Sequence, residues 1–277
     1  MPSLYGDLDR PPLRAEALRR ALLTPGAVWT EITVADALPS TNAELAHRAR
    51  TTDDDGVVLI AEHQTAGRGR LDRSWTAPPR SGLTLSVLLR PDDVDVSRWS
   101  WIPLLAGVVV AATVRQAANV DAGVKWPNDV VVDDRKLAGI LVERAETRGR
   151  PPAAVIGIGL NVSLRDQELP VPAATSLALE AATTTDRGVL ARALLRNLQR
   201  VYESWREVGG DPERGLRAAY TSACVSLDRQ VRVHTAGGGS VTGLAAGIDV
   251  HGRLLVDGTD GRQAFGSGDV VHLRPLT

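Results

Sequence analysis

The chain is poor in lysine, cysteine and methionine, and each scarcity narrows what it can be. Of the 32 basic side chains among its 277 residues, 30 are arginine and only Lys125 and Lys136 are lysine. Set against 33 acidic side chains they leave a net charge of -1, which excludes the basic excess of a nucleic-acid coat. The lone Cys224 can build neither a disulfide framework nor a cysteine-based zinc site. No oxidising compartment is needed, and a cytoplasmic location is expected. The five histidines, at 47, 63, 234, 251 and 272, form no pair at helical ligand spacing, so no histidine metal site is expected. The first twenty residues lack an apolar core of signal-peptide length. The longest apolar stretches, around 104–113 and 153–160, fall well short of the ~20 residues that span a bilayer; no membrane partner is expected.

What remains is an ordinary globular composition, 43% hydrophobic and 23% charged. At about 150 residues per domain the length suggests roughly two domains. Residues 1–12 read as a loose polar arm, and 13–23 as a helix stopped by Thr24-Pro25-Gly26. Strands are expected at 29–34, 57–61 and 83–89. A short helix to about Ala49 opens on a capping box, Thr41-Asn42-Ala43-Glu44. Residues 101–118 predict a buried helix with Pro103 in its first turn. Short strands follow at 124–126, 130–132 and 136–143, then a buried strand at 153–160. Two amphipathic helices are expected at 186–205 and 212–224. Beyond Ser226 the chain breaks into four or five short strands separated by turn residues, including Gly237-Gly238-Gly239, which suggests a small barrel.

Three motifs could carry chemistry. Thr65-Ala66-Gly67-Arg68-Gly69-Arg70 follows a buried strand. Glycine lets backbone amides approach a ligand closely, and arginine offers a fork of donors for phosphate or carboxylate. A solvated turn in an arginine-rich chain is the competing reading. Lys125-Trp126-Pro127-Asn128-Asp129 and Lys136-Leu137-Ala138-Gly139 hold both lysines, eleven residues apart. A compact ammonium in a chain that otherwise uses arginine hints at sites where a planar guanidinium will not serve; chance and a hairpin turn are the alternative. Ser40-Thr41-Asn42 is either a helix cap alone or a set of small donors and acceptors facing a polar ligand. Asn161 is either a strand-end turn or a ligand amide. Trp75 reads as a packing residue under the loop, and Cys224 as a buried structural thiol. Gly157-Ile158-Gly159 lacks the third glycine of a dinucleotide fingerprint, because residue 162 is valine.

In this order the motifs resemble those of the biotin–protein ligases. The matching blocks are Ser40-Thr41-Asn42, Glu62-His63-Gln64 through Arg70 with Trp75, Lys125 through Asp129, Arg135 through Glu143, and Gly157 through Asn161. The resemblance runs from about residue 35 to the C-terminus. It implies an α+β fold: a mixed-sheet catalytic domain similar to class II aminoacyl-tRNA synthetases, over 29–225, after an arm and short helix at 1–28. A small SH3-like β-barrel at 226–277 would complete it. The implied reaction joins biotin to ATP as biotinyl-5′-AMP, releases pyrophosphate, and passes biotin to a lysine of a carrier domain such as that of acetyl-CoA carboxylase.

The resemblance also implies roles. Lys136, Arg68 and Arg70 would be catalytic, with Lys136 bridging the biotin carboxylate and the α-phosphate. Ser40, Thr41, Asn42 and Gln64 would bind the ureido ring, with Gly67 and Gly69 allowing close approach. Asn128 and Asp129 would lie near the phosphates, Asn161 near adenine, and Mg²⁺ would be held mainly by phosphates and water. Some relatives carry an N-terminal winged helix; only 39 residues precede Ser40, so no DNA binding or repressor role is expected. Some stack an aromatic on adenine from the loop after Asn161, but 162–185 contains no aromatic residue. With Met1 the only methionine, the chain carries no Met-Lys-Met carrier signature. The rival reading within the fold is a lipoate or octanoate ligase or transferase; a non-catalytic adaptor is the reading outside it.

Overall fold

The computed structural model describes residues 9–71, 73–146, 149–235 and 238–273. Most of the arm expected over 1–12, and Gly237 of the glycine turn, lie outside the described residues. The elements begin with α1 (Ala15–Leu22), β1 (Glu31–Ala35), α2 (Thr41–Thr51), β2 (Val57–Ala61), β3 (Gly82–Leu89) and α3 (Ile102–Ala118). They continue with β4 (Gly123–Lys125), β5 (Asp129–Val132), β6 (Arg135–Ala145), β7 (Ala153–Asn161), α4 (Arg187–Glu207) and α5 (Leu216–Ala223). Five strands close the chain: β8 (Gln230–His234), β9 (Ser240–Ile248), β10 (Leu254–Gly258), β11 (Gly261–Phe265) and β12 (Asp269–His272).

Seven strands form one sheet in the order β1-β2-β3-β7-β6-β5-β4. Only β1 and β2 pair in parallel; the other neighbours are antiparallel, so the sheet is mixed. Its central strand β7 is buried along its whole length, as a continuous apolar run predicts. Ile156, Ile158 and Leu160 point into the main core, whereas Val155 joins a smaller cluster under α2 with Leu45, Ala49 and Leu59. The period of two thus leaves Gly157 and Gly159 on the α2 face, where the lack of side chains opens space.

The other face is covered chiefly by α3, which buries Leu104, Leu105, Val109, Val110 and Val114. Each contributes about 1.5–3 kcal/mol by leaving water. Together with its leading 3₁₀ turn this element runs Val96–Ala118, 23 residues whose most apolar window has mean hydropathy 1.5, long and apolar enough to cross a membrane. That differs from the short runs expected from sequence, yet 67% of its most apolar window is buried inside the fold. Asn119, in the left-handed region at φ 55°, ends it.

Three local expectations change. Ser40, not Thr41, caps α2: its backbone is extended and its Oγ accepts the Ala43 N–H at 3.4 Å. The helix expected at 212–224 is broken at Gly215, whose φ of 122° separates a 3₁₀ turn (Pro212–Arg214) from α5. The C-terminal strands form an antiparallel sheet, β11-β10-β9-β8-β12, whose ladder does not close. Its apolar residues Val231, Val233, Ile248, Leu254 and Val256 belong to the same core as α3 and β4, so it is covered without closing on itself. Two indole donors fasten it: Trp101 Nε1 to Val250 O at 2.9 Å and Trp126 Nε1 to Gly252 O at 3.0 Å.

A buried ion pair ties the N-terminal segment to the end of β2. Arg187 Nη1 lies 2.5 Å from Glu62 Oε2, with side chains only 5% and 3% exposed. The Leu13 N–H donates to the other Glu62 oxygen at 2.5 Å, and Arg187 Nη2 donates to Pro11 O at 2.7 Å.

Candidate active site

On the α2 face of the sheet a cavity of about 110 Å³ collects most of the residues singled out in the sequence. Its floor is a patch of glycine. Ladder pairing sets Gly139 opposite Gly159, and Gly157 opposite Leu141 on one side and Ser86 on the other. A Cβ at Gly157 would stand 2.1 Å from Asn42 Oδ1, and one at Gly159 would stand 2.4 Å from the Trp75 indole. These glycines therefore make room for a side chain from α2 and one from the loop, a role different from phosphate binding in a dinucleotide motif.

One wall is the first turn of α2. Ser40, Thr41 and Asn42 are each less than 5% exposed yet line the cavity. Ser40 thus both caps the helix and faces the site. Asn42 Nδ2 donates to Leu141 O at 3.1 Å and to Glu143 Oε2 at 2.9 Å. Gln64 Oε1 accepts the Thr41 N–H at 2.7 Å and the Thr41 hydroxyl at 3.0 Å. Ser86 Oγ lies 2.7 Å from Thr41 Oγ1 and 2.6 Å from Asn42 Oδ1, and its single proton can serve one of them at a time. The wall is a preassembled row of donors and acceptors whose orientation the protein itself holds.

The opposite wall is cationic. The loop after β2 folds back on itself, with Gly69 N–H donating to Arg73 O at 2.6 Å and Trp75 N–H to Gly67 O at 2.9 Å. Gly67 lies beneath this fold: a Cβ there would meet Trp75 O at 2.3 Å, so only glycine lets the two strands of the loop touch. Arg68, Gly69 and Arg70 line the cavity, with Arg68 exposed. Arg70 Nη1 donates to Asn128 Oδ1 at 2.8 Å. Burial pulls the Arg70 guanidinium below the ordinary arginine range, while Asp269 and Asp129 act the other way. Lys136 Nζ stands 2.7 Å from Asp129 Oδ1 and 5.7 Å from the centre of the Trp75 ring. Its stem runs over Gly139, within 3.2 Å of where a Cβ would be.

Asn161 is not brought to this cavity. It is 3% exposed and its Nδ2 donates to Thr175 O at 2.9 Å, securing a segment that pairs with the Lys136 backbone at Ala173 O and Thr175 N. Lys125 is not among the lining residues either. The sequence gives Trp75 only a packing role and does not mark Asp269. Trp75 lines the cavity over its glycine floor. Asp269, nearly 200 residues further on, reaches it from β12 and pairs with Arg73. No local pattern marks Asp269. The polar Thr84 and Ser86 alternating within the apolar β3 do mark the face that borders the site.

Among the described residues no three histidine, cysteine, aspartate or glutamate side chains gather as a metal cage. Asn128 and Asp129 supply oxygens at the cationic end, where Arg70 and Lys136 already engage them.

Residues 34–161 match the Biotin/lipoate A/B protein ligase family, and 226–273 match the Biotin protein ligase C terminal domain. The biotin–[acetyl-CoA-carboxylase] ligase of Mycobacterium tuberculosis is 43% identical over 272 residues, 97% of this chain and 98% of that protein. The bifunctional ligase/repressor BirA of Escherichia coli is 35% identical over 82% of this chain and 69% of its own length. Among solved structures, biotin protein ligase from Aquifex aeolicus in complex with biotin and ATP superposes with a TM-score of 0.73 at 25% identity. It covers 89% of this chain and all of that one. With the fold, both segments and a nearly full-length relative in agreement, the chain belongs to the biotin protein ligase family.

Proposed function

We propose that this chain is an ATP-dependent biotin–protein ligase. Biotin's carboxylate oxygen attacks the α-phosphorus of ATP; the new O–P bond gives biotinyl-5′-AMP as the bond to pyrophosphate breaks. A lysine amine of a biotin carboxyl carrier domain, as in acetyl-CoA carboxylase, then attacks the acyl carbon. AMP leaves and the amine gives up a proton.

The observation that carries this reading is the pairing of two unlike walls across one glycine floor. The ureido ring of biotin is flat and carries both donors and acceptors, matching Ser40, Thr41, Asn42 and Gln64, with Ser86 behind them on Thr41 and Asn42. An unpartnered polar atom there costs roughly 1–3 kcal/mol. The first step brings two anions together, so positive charge must screen both and stabilise the developing charge, often the largest catalytic contribution. Lys136, Arg68 and Arg70 supply it from one side of the cavity, with Gly69 keeping the backbone close. Asn128 and Asp129 hold Arg70 and Lys136 in place and would border the triphosphate with its Mg²⁺, which supplies charge neutralisation when bound. Gly67 acts by closing the loop. We assign Asn161 to support of the Lys136 strand, with adenine contact secondary.

The octanoyl-transfer alternative draws no support from Cys224. That thiol sits at the end of α5, away from the cavity, and burial pushes its pKa up. We place the reaction in the cytoplasm, consistent with a lone cysteine and α3 packed as a core helix. The proposal is confined to the ligase reaction. ATP–pyrophosphate exchange that depends on biotin tests the reading, with lipoate and octanoate as comparison substrates.

A further inference from the structure

Outside the cavity, one cluster sets three side chains in the order of a nucleophile, a base and a carboxylate. His272 on β12 stands with Nε2 3.0 Å from Ser226 Oγ and Nδ1 2.6 Å from Asp134 Oδ1. Hydrolysis is not its work. Ser226 is fully buried, and its Oγ already accepts the Trp126 N–H at 3.2 Å. No acyl group can approach it, and a nucleophile needs a site beside it for the reacting atom.

What the cluster touches points elsewhere. Ser226 holds the backbone of Trp126, two residues before Asn128. Asp134 sits in the β5–β6 turn at φ 65°, two residues before Lys136. From the C-terminal sheet, His272 therefore clasps both ends of β5. The first residue of that strand, Asp129, pairs with Lys136, and the residue before it, Asn128, holds Arg70. Arg229, just ahead of β8, strengthens the clasp with Nη1 3.0 and 3.1 Å from the two Asp134 oxygens.

The contacts suit a neutral ring, and the Arg229 guanidinium, 3.3 Å from Nδ1, adds a positive charge that opposes protonation. Nδ1–H donates to Asp134, Nε2 accepts the Ser226 hydroxyl, and the Ser226 oxygen accepts from Trp126. A protonated ring leaves the Ser226 proton without that acceptor. Burial lowers the His272 pKa, and Lys125 and Arg229 act the same way against Asp134.

We infer that His272, through Ser226 and Asp134, is a positioning residue that fixes the Asn128–Asp129 turn and Lys136, coupling the C-terminal sheet to adenylate formation. The catalytic part of this inference rests on the ligase reading.

The test compares the unaltered chain with His272→Ala, His272→Asn, Asp134→Asn and the Ala/Asn double variant. Biotin-dependent pyrophosphate exchange, thermal unfolding and amide hydrogen exchange over residues 126–136 are measured on each. His272→Ala should lower kcat about tenfold or more while KM for biotin stays within about twofold and the chain remains folded. His272→Asn, which restores a donor near the Nδ1 position, should recover part of the loss. Adding Asp134→Asn to His272→Ala should cost little more, as expected for two residues on one path. Amides at 126–136 should exchange faster in His272→Ala. A kcat within twofold of the unaltered chain, a loss that follows the unfolded fraction, or unchanged amide exchange at 126–136 overturns the inference. If the unaltered chain shows no biotin-dependent exchange, the ligase reading fails, and the amide exchange still decides this one. If His272→Ala does not fold, Asp134→Asn, in an exposed turn, takes the same test.

Discussion

The Lys136 ammonium rests 2.7 Å from an Asp129 carboxylate oxygen, and that contact aims it across the glycine floor. Both residues sit where β5 and β6 form a hairpin, so the backbone register fixes their spacing. A guanidinium at position 136 would be planar, larger and set to fork onto Asp129. Replacing Lys136 with Arg should lower biotinyl-adenylate formation by about a hundredfold or more, the scale of losing one electrostatic stabiliser. Exchange kinetics beside circular dichroism check this; near-normal turnover by a folded variant would remove Lys136 from its assigned role.

The glycine floor makes a steric prediction. An alanine at Gly157 would press its Cβ to 2.1 Å from Asn42 Oδ1, and Asn42 is pinned by Leu141 and Glu143. Gly157→Ala should destabilise the fold by about 1–3 kcal/mol and raise KM for biotin more than it lowers kcat. Denaturant unfolding and steady-state kinetics measure the two effects. An unchanged KM would mean that Asn42 does not border the biotin site.

The Glu62–Arg187 pair makes a larger stability prediction. Removing one partner leaves the other charged and buried. Arg187→Met should therefore cost about 3–5 kcal/mol, and it also releases Pro11 from its hydrogen bond. Urea unfolding measures it. A loss below about 1 kcal/mol would show that water reaches Glu62.

The surface triad of Glu31, Arg48 and Asp54 makes a pH prediction. The Arg48 hydrogen bond holds the Glu31 carboxyl below its ordinary value, and the Thr52 hydroxyl followed by Arg48 lowers Asp54. With folded values depressed, the unfolded chain binds more protons in acid. The stabilisation is complete above about pH 5 and lost as the pH falls through the folded values. Arg48→Ala should flatten the acid limb of stability below about pH 4.5, seen as urea midpoints that converge with the unaltered chain in acid. Parallel curves would show that Arg48 does not set those carboxylates.

Much of the fold was legible because each signal was local. The all-apolar 57–61 run became β2, Pro103 opened α3, and the 186–205 amphipathic stretch became α4 with Asp186 as its cap. The cationic wall was legible for the same reason, since Gly67 through Arg70 and Asn128 through Lys136 are contiguous. What escaped depends on long-range pairing. Gly139, Gly157 and Gly159 form a floor only once β6 and β7 align in register. Asp269 enters the cavity only when the C-terminal sheet docks. The Asn161 bond to Thr175 is likewise invisible in the sequence, because it spans 14 residues. The barrel looked closed because strand count alone does not say whether another surface covers the sheet.

The central claim is tested most directly by ATP–pyrophosphate exchange in the presence of biotin, lipoate or octanoate, each supplied alone. Exchange with biotin only, lowered about a hundredfold or more by Lys136→Arg, is the result this account predicts. Exchange with lipoate or octanoate but not biotin, or none with any of the three, would contradict it.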